Sequence, residues 1–181
     1  MKLIMLTGRR GSGKSVFAET GRQMGISVYE CSSVIFEMME EKGIERTSEN
    51  TGRFAEELRK ERGRDIVAKL IYEKMRKDGA EIAILSGIRS KEEVEFLRRV
   101  ALTVLIEVRA SERARFERIM KRARPSDPKT WEAFLAREAS EKRLGIEDVI
   151  AMADFIVENE GSESDFIEKS KRILAFLLKE R

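Results

Sequence analysis

Eight consecutive residues near the start of the chain, Gly8-Arg9-Arg10-Gly11-Ser12-Gly13-Lys14-Ser15, hold the densest chemistry in the sequence. Gly8, Gly13, Lys14 and Ser15 fill the pattern G-x-x-x-x-G-K-[ST], whose backbone amides wrap the phosphates of a nucleoside triphosphate. Each residue type answers a physical need. Glycine lets the main chain approach an anion closely, lysine brings positive charge to the outer phosphates, and a serine hydroxyl can ligate magnesium. Gly11 and Ser12 extend the loop, while Arg9 and Arg10 either add positive potential at the phosphate mouth or face solvent. The pattern predicts a site for ATP and Mg2+, with Ser15 as the metal-facing residue. An incidental glycine turn is the alternative.

The surrounding elements favour the cradle. Residues 2–7, KLIMLT, form an apolar run too short for a helix and read as a buried parallel strand. A helical pattern from Lys14 to about Met24 follows directly, so the motif sits where a strand meets a helix and the helix dipole favours an anion. Further strands are predicted at 26–30, 80–86, 101–108 and 154–159, separated by helical spacing. Ser32 or Ser33 reads as a cap for a helix running to about Lys42, and 47–77 as two helices broken near Gly63. Ser90 to Glu93 reads as a capping box and Ser111 as a cap. Asp127-Pro128 reads as the start of a helix running to about Leu144. Strands alternating with helices predict an α/β fold of three layers, the phosphate-loop NTPase type, with a five-stranded parallel sheet covered on both faces and a helical lid. One domain, 1–181, is expected, with a lid subregion at about 118–144.

Composition narrows the function classes. The 181 residues are 41% hydrophobic and 38% charged, and Lys+Arg 36 against Asp+Glu 33 leaves +3, too balanced for a nucleic-acid surface. With no histidine and one cysteine, a structural zinc site lacks its usual ligands and an internal disulfide is impossible. No apolar run approaches the ~20 residues of a bilayer span, which points to a cytoplasmic protein with no membrane partner. Scarce amides (Asn50, Asn159, Gln23) beside abundant Glu, Lys and Arg suit a protein working hot. No Asn-Lys-x-Asp stretch follows the loop, which argues against a guanine-reading switch.

Four segments carry a further likeness: Gly8 to Ser15, Gly87-Ile-Arg-Ser90, Lys121-Arg-Ala-Arg124 with Asp127-Pro-Lys-Thr-Trp131, and Ala153 to Gly161. Through them the chain resembles, over nearly its whole length, an archaeal group of phosphate-loop proteins related to dephospho-CoA kinase and adenylate kinase. The resemblance implies that Arg89 clamps an acceptor phosphate, where a surface salt bridge is the other reading. It implies that Asn159 and Gly161 border the adenine base, where ending a strand and opening a helix serve equally well. The basic run from Arg113 to Arg124 is either a solvated helix face or the source of lid cations, with Arg122 and Arg124 the residues to test and Arg137 behind them.

Two departures from that group bear on chemistry. Its members commonly read Asp-Gly-Ile-Arg where this chain has Ser86-Gly87-Ile88-Arg89, so the carboxylate expected near magnesium is missing. The turn after the second strand often reads Gly-Asp with an arginine three residues on; here it is Ser32-Ser33-Val-Ile-Phe36. Glu30 stands beside that turn as a substitute metal-oriented carboxylate or a proton acceptor, where burial or helix capping explains it as well, and Cys31 reads as a small core residue. The sequence therefore supports a small-molecule kinase acting on an unassigned acceptor. Its alternative is a weakened nucleotide-binding regulator.

Overall fold

In the computed structural model, residues 1–123, 127–143 and 145–179 are described. The elements run β1 (Lys2–Thr7), α1 (Lys14–Gln23), β2 (Ser27–Glu30), α2 (Cys31–Glu41), α3 (Ser48–Arg62), α4 (Ile66–Lys77), β3 (Ile82–Ser86), α5 (Lys91–Val100), β4 (Leu102–Arg109), α6 (Glu112–Arg122), α7 (Trp131–Arg143), α8 (Ile146–Ala151), β5 (Phe155–Glu158) and α9 (Glu163–Lys179). The strands form one parallel sheet in the order β2-β3-β1-β4-β5.

Side chains alternate across each strand, so the sheet carries two cores. Leu3, Met5, Ala83, Leu85 and Leu105 point to the layer built from α2, α3, α4 and α5, where Met39, Ile71, Met75 and Leu97 meet them. Ile4, Leu6, Ile84, Ile106 and Val108 face the other layer, against Phe17 of α1 and Phe166 and Leu174 of α9. Burial on both faces is why the strands read as unbroken apolar runs. This is the three-layer α/β arrangement expected, with β1 in the middle of the sheet and its exit loop at the centre of one edge. Parallel pairing brings the carboxyl ends of all five strands to that edge, the side on which such sheets bind ligands.

Two helix starts differ from the sequence reading. α2 begins at Cys31, ahead of both serines, with Glu30 at its N-cap in an extended conformation. Ser32 and Ser33 lie inside the first turn, where type alone does not decide a cap. α7 begins at Trp131, with the Ala133 amide donating to Thr130 Oγ1 at 3.2 Å. Asp127 does not start it, because its carboxylate is taken by Arg122. The short α8 is an element the sequence reading did not separate. The Ser90–Glu93 capping box forms as expected, and Ser111 accepts from the Ala114 amide. Among the described residues no helix is long and apolar enough to cross a membrane.

Candidate nucleotide site

The loop between β1 and α1 is shaped by its glycines and by what presses on it. Gly13 caps α1 at φ +112°, a left-handed conformation that side chains with a Cβ resist. A Cβ there would lie within 3.0 Å of Asn159 Nδ2. Gly11, at φ +80°, rests on the backbone of α6, and a Cβ would come 2.7 Å from the Arg115 carbonyl oxygen. The turn is closed inside by the Ser12 amide donating to the Arg9 carbonyl at 3.2 Å. Lys14 opens α1 and curls back over the loop, its Nζ donating to the carbonyls of Gly8 at 2.5 Å and Arg9 at 3.0 Å. The Val16 and Phe17 amides donate to the Gly13 carbonyl at 3.0 and 3.1 Å, while those of Lys14 and Ser15, at the very start of α1, come too early for an intrahelical acceptor and present donors to whatever lies over the loop. An anion there meets the lysine, the helix dipole and the amides together.

Side chains far along the sequence hold this loop. Asn159, just past β5 and 6% exposed, donates from Nδ2 to the Ser12 carbonyl at 2.8 Å. Its own Oδ1 and main-chain oxygen accept from Arg118 Nη2 at 3.2 and 2.7 Å. Arg115 of α6 is buried and donates to the Arg10 carbonyl at 3.1 Å, to the Ala110 carbonyl at 3.2 Å and to Glu138 Oε2 at 2.6 Å. Glu138, from α7, also accepts from Arg9 Nη1 at 3.1 Å, and Arg9 Nη2 pairs with Glu147 of α8. Burial works to raise the Glu138 carboxyl, but the Arg115 and Arg9 guanidiniums outweigh it and hold it below the ordinary range. The Phe116, Trp131 and Phe134 rings pack together where α6 meets α7, with centroids 5.1 to 5.5 Å apart.

Arg9, Arg10 and Arg122 are therefore engaged with acids, Arg9 with Glu138 and Glu147 and the other two with Asp127. Arg122 makes a two-pronged pair with Asp127, Nε to Oδ2 at 2.7 Å and Nη2 to Oδ1 at 2.8 Å, and Arg10 Nη1 comes within 3.9 Å of the same carboxylate. Arg124 lies outside the described residues. Gly161 is exposed two residues beyond Asn159, before the Ser162 cap of α9.

On the other side of the loop, the edge formed by β2 and β3 collects Glu30, Ser86 and Arg89. Glu30 and Ser86 are register partners, and Ser86 is buried. Crowding by protein raises the Glu30 carboxyl above its usual value, against the lowering effects of the Ser86 hydroxyl and of the Lys14 charge nearby. Arg89 is exposed, and its main-chain amide is held by Glu93 Oε2 at 2.8 Å. The other Glu93 oxygen takes Arg59 of α3 at 3.0 Å, tying the helices over this edge to the start of α5. Cys31 is buried below them, its thiol pushed well up by desolvation and the Glu93 and Glu30 charges, so it is packing and not a nucleophile.

An AAA domain profile matches residues 7–134. A UPF0200 protein from Hyperthermus butylicus is 42% identical over 175 residues, covering 97% of this chain and 94% of that protein. The chain belongs to the UPF0200 family. A UPF0200 protein from Methanocaldococcus jannaschii is 37% identical over 182 residues, covering 98% of this chain and 91% of its own. TT1252 from Thermus thermophilus has the same fold, with TM-score 0.67 at 22% identity over 97% of both chains. Dephospho-CoA kinase from Campylobacter jejuni matches with TM-score 0.57 at 17% identity over 97% of both. Shikimate kinase from Bacteroides thetaiotaomicron matches with TM-score 0.57 at 19% identity over 98% of both. The structural neighbours share the phosphate-loop kinase fold that the motifs pointed to.

For the UPF0200 chain, the residues missed by sequence reasoning are Arg115 and Glu138. Arg113 and Arg115 sit two apart on a helix and so point about 200° apart. The Arg113 side chain is 88% exposed and that of Arg115 only 1%. The only available signal was helical phase, with Arg115 four residues before the buried Ile119.

Proposed function

We propose that this UPF0200 chain is an ATP-dependent kinase for a small molecule. The observation that carries the reading is the loop of residues 8–15, its left-handed Gly11 and Gly13 locked against α6 and Asn159 while Lys14 sits over its carbonyls. Lys14 and the loop amides take the β and γ phosphates, exchanging the Gly8 and Arg9 carbonyls for phosphate oxygens. The Ser15 hydroxyl, first in line after the lysine, suits a hard, oxygen-seeking Mg2+ already partly held by phosphates. When bound, that ion spreads the charge of the β and γ oxygens.

The acceptor lies over the β2–β3 edge, where the exposed Arg89 fork grips an anionic group on it. Transfer forms a bond from an acceptor oxygen to the γ phosphorus and breaks the bond to the β–γ bridging oxygen, leaving ADP. Positioning and charge neutralisation supply most of the rate, so the scarcity of nucleophiles and bases at the site is no obstacle. Arg122 closes over the reaction by trading the Asp127 carboxylate for phosphate oxygens, both of which its planar fork fits. Arg124 is the second lid cation, and Asn159 and Gly161 border the base.

One observation favours a second reading, a regulator that reports nucleotide by lid movement. Arg9, Arg10 and Arg122 are all matched to carboxylates of the lid region, an arrangement suited to switching partners. Incubation with labelled ATP and Mg2+ against a pool of nucleosides, nucleotides and coenzyme precursors separates the two. Label moved to an acceptor, and lost in Lys14→Ala, supports the kinase. Binding without transfer or hydrolysis supports the regulator, and no binding by intact protein refutes both.

A further inference from the structure

The carboxylate expected at the end of β3 is a serine, Ser86, and the structure shows what that serine does. It is 4% exposed and is the register partner of Glu30 across β2 and β3, where its hydroxyl favours the ionised Glu30 carboxylate. Ser86 is also the register partner of Leu6, two residues before the phosphate loop begins, so the pair lies directly beside that loop. Glu30 Oε2 lies close over Gly87, 3.7 Å from where a Cβ would stand. The carboxylate is near enough to Lys14 to feel its charge.

Glu30 could have been a helix cap, and it is not. It occupies the N-cap of α2, yet its side chain makes no hydrogen bond to the first-turn amides. Nor is it a buried structural acid, because the residue remains exposed. An exposed carboxylate that leaves the first turn of its own helix uncapped, lies over Gly87 beside a buried serine and stands within range of the loop lysine's charge is placed for a ligand. Among the described residues there is no cluster of three acids, cysteines or histidines that would hold a metal alone. A divalent ion carried in by a polyphosphate needs only one or two protein carboxylates.

We infer that Glu30, steered by the Ser86 hydroxyl, orients the water shell of the divalent ion on the bound nucleotide, replacing from β2 the charge that β3 lacks. The inference rests on the nucleotide-binding reading above. Glu30 acts through water and makes no bond to the transferred phosphoryl group. Its negative charge also opposes metal-free ATP and favours the metal complex, which makes the nucleotide site selective for the loaded form.

The test is calorimetric titration of ATP, with Mg2+ and with chelator, into the full chain and its variants, paired with Mn2+ binding to the protein–ATP complex followed by electron paramagnetic resonance. Glu30→Gln should lower metal affinity in the nucleotide complex by about tenfold, the usual scale for removing such a partner. Metal-free ATP should bind equally well or more tightly. Ser86→Asp in the Glu30→Gln background should restore metal affinity, because it returns a carboxylate to the same place. A merely structural Glu30 would weaken ATP with and without metal and would not be rescued. Unchanged metal affinity in Glu30→Gln, or failure of the rescue in a folded double variant, overturns the inference while leaving ATP binding intact. Absence of ATP binding by the native chain overturns the nucleotide reading itself.

Discussion

Arg115 is the side chain whose removal should be felt most widely. Its guanidinium, 1% exposed, donates to two main-chain carbonyls and to Glu138, and it lies 5.2 Å from the centroid of the Phe134 ring. Methionine would fill much of the volume but leave the Arg10 and Ala110 carbonyls without this donor and Glu138 with Arg9 alone. Removing one partner of a buried ion pair costs about 3–5 kcal/mol. Because Arg9 still meets Glu138, Arg115→Met should fall at the lower end, about 3 kcal/mol. In a domain of this size that is a fall in Tm of roughly 6–12 °C. Guanidinium unfolding followed by circular dichroism reads the loss directly, as a lower midpoint at unchanged slope. Arg115→Met with Glu138→Leu should recover much of it, since replacing both charges by apolar groups removes the stranded carboxylate. ATP affinity of the folded single variant should also drop, because Gly11 and Arg10 rest on the Arg115 backbone and side chain. A loss below about 1 kcal/mol, the scale of an exposed pair, or a double variant no better than the single one, would refute this account of the loop's support.

Other outcomes follow from the same geometry. Gly13→Ala should abolish ATP binding in calorimetry, since its Cβ would strike Asn159 Nδ2 and crowd Phe166; Asn159→Ala in that background should relieve the contact while leaving the φ strain, so recovery would be partial. Lys14→Ala should leave Tm nearly unchanged while removing ATP binding, because the lysine donates to carbonyls of its own loop. Glu138 has a carboxyl held below its unfolded value, so its contribution to stability is present above pH about 4.5 and fades as pH falls through the lower folded value. Glu138→Gln should therefore be destabilised relative to the native chain at pH 7 and converge with it in strong acid, as read by unfolding curves across pH. Parallel curves at all pH values would show that the Arg115 and Arg9 charges do not act on it.

The phosphate loop was legible because its chemistry is contiguous. Gly8 to Ser15 lie on adjacent positions, and the strand before them and helix after them have periodicities that tertiary contacts reinforce. The parallel sheet was legible for a similar reason, since strands buried on both faces write themselves as short apolar runs. Misreadings fell where two residue types could serve one role. Ser32, Ser33 and Asp127 are all good caps by type, but α2 already starts at Cys31 and Arg122 takes the Asp127 carboxylate.

By itself the sequence determined the layered α/β class, the place of the phosphate loop at a strand-to-helix junction, and the missing carboxylate at Ser86. Each of these depends on residues near one another in the chain, where spacing and backbone conformation suffice. Only the tertiary structure decided that Arg115 is buried while Arg113 is solvated, that Glu138 reaches a loop 129 residues away, and that Glu30 answers Ser86 across two strands. Charge partners are chosen by proximity after the layers have packed, and proximity between distant segments is a property of the fold that local spacing does not carry.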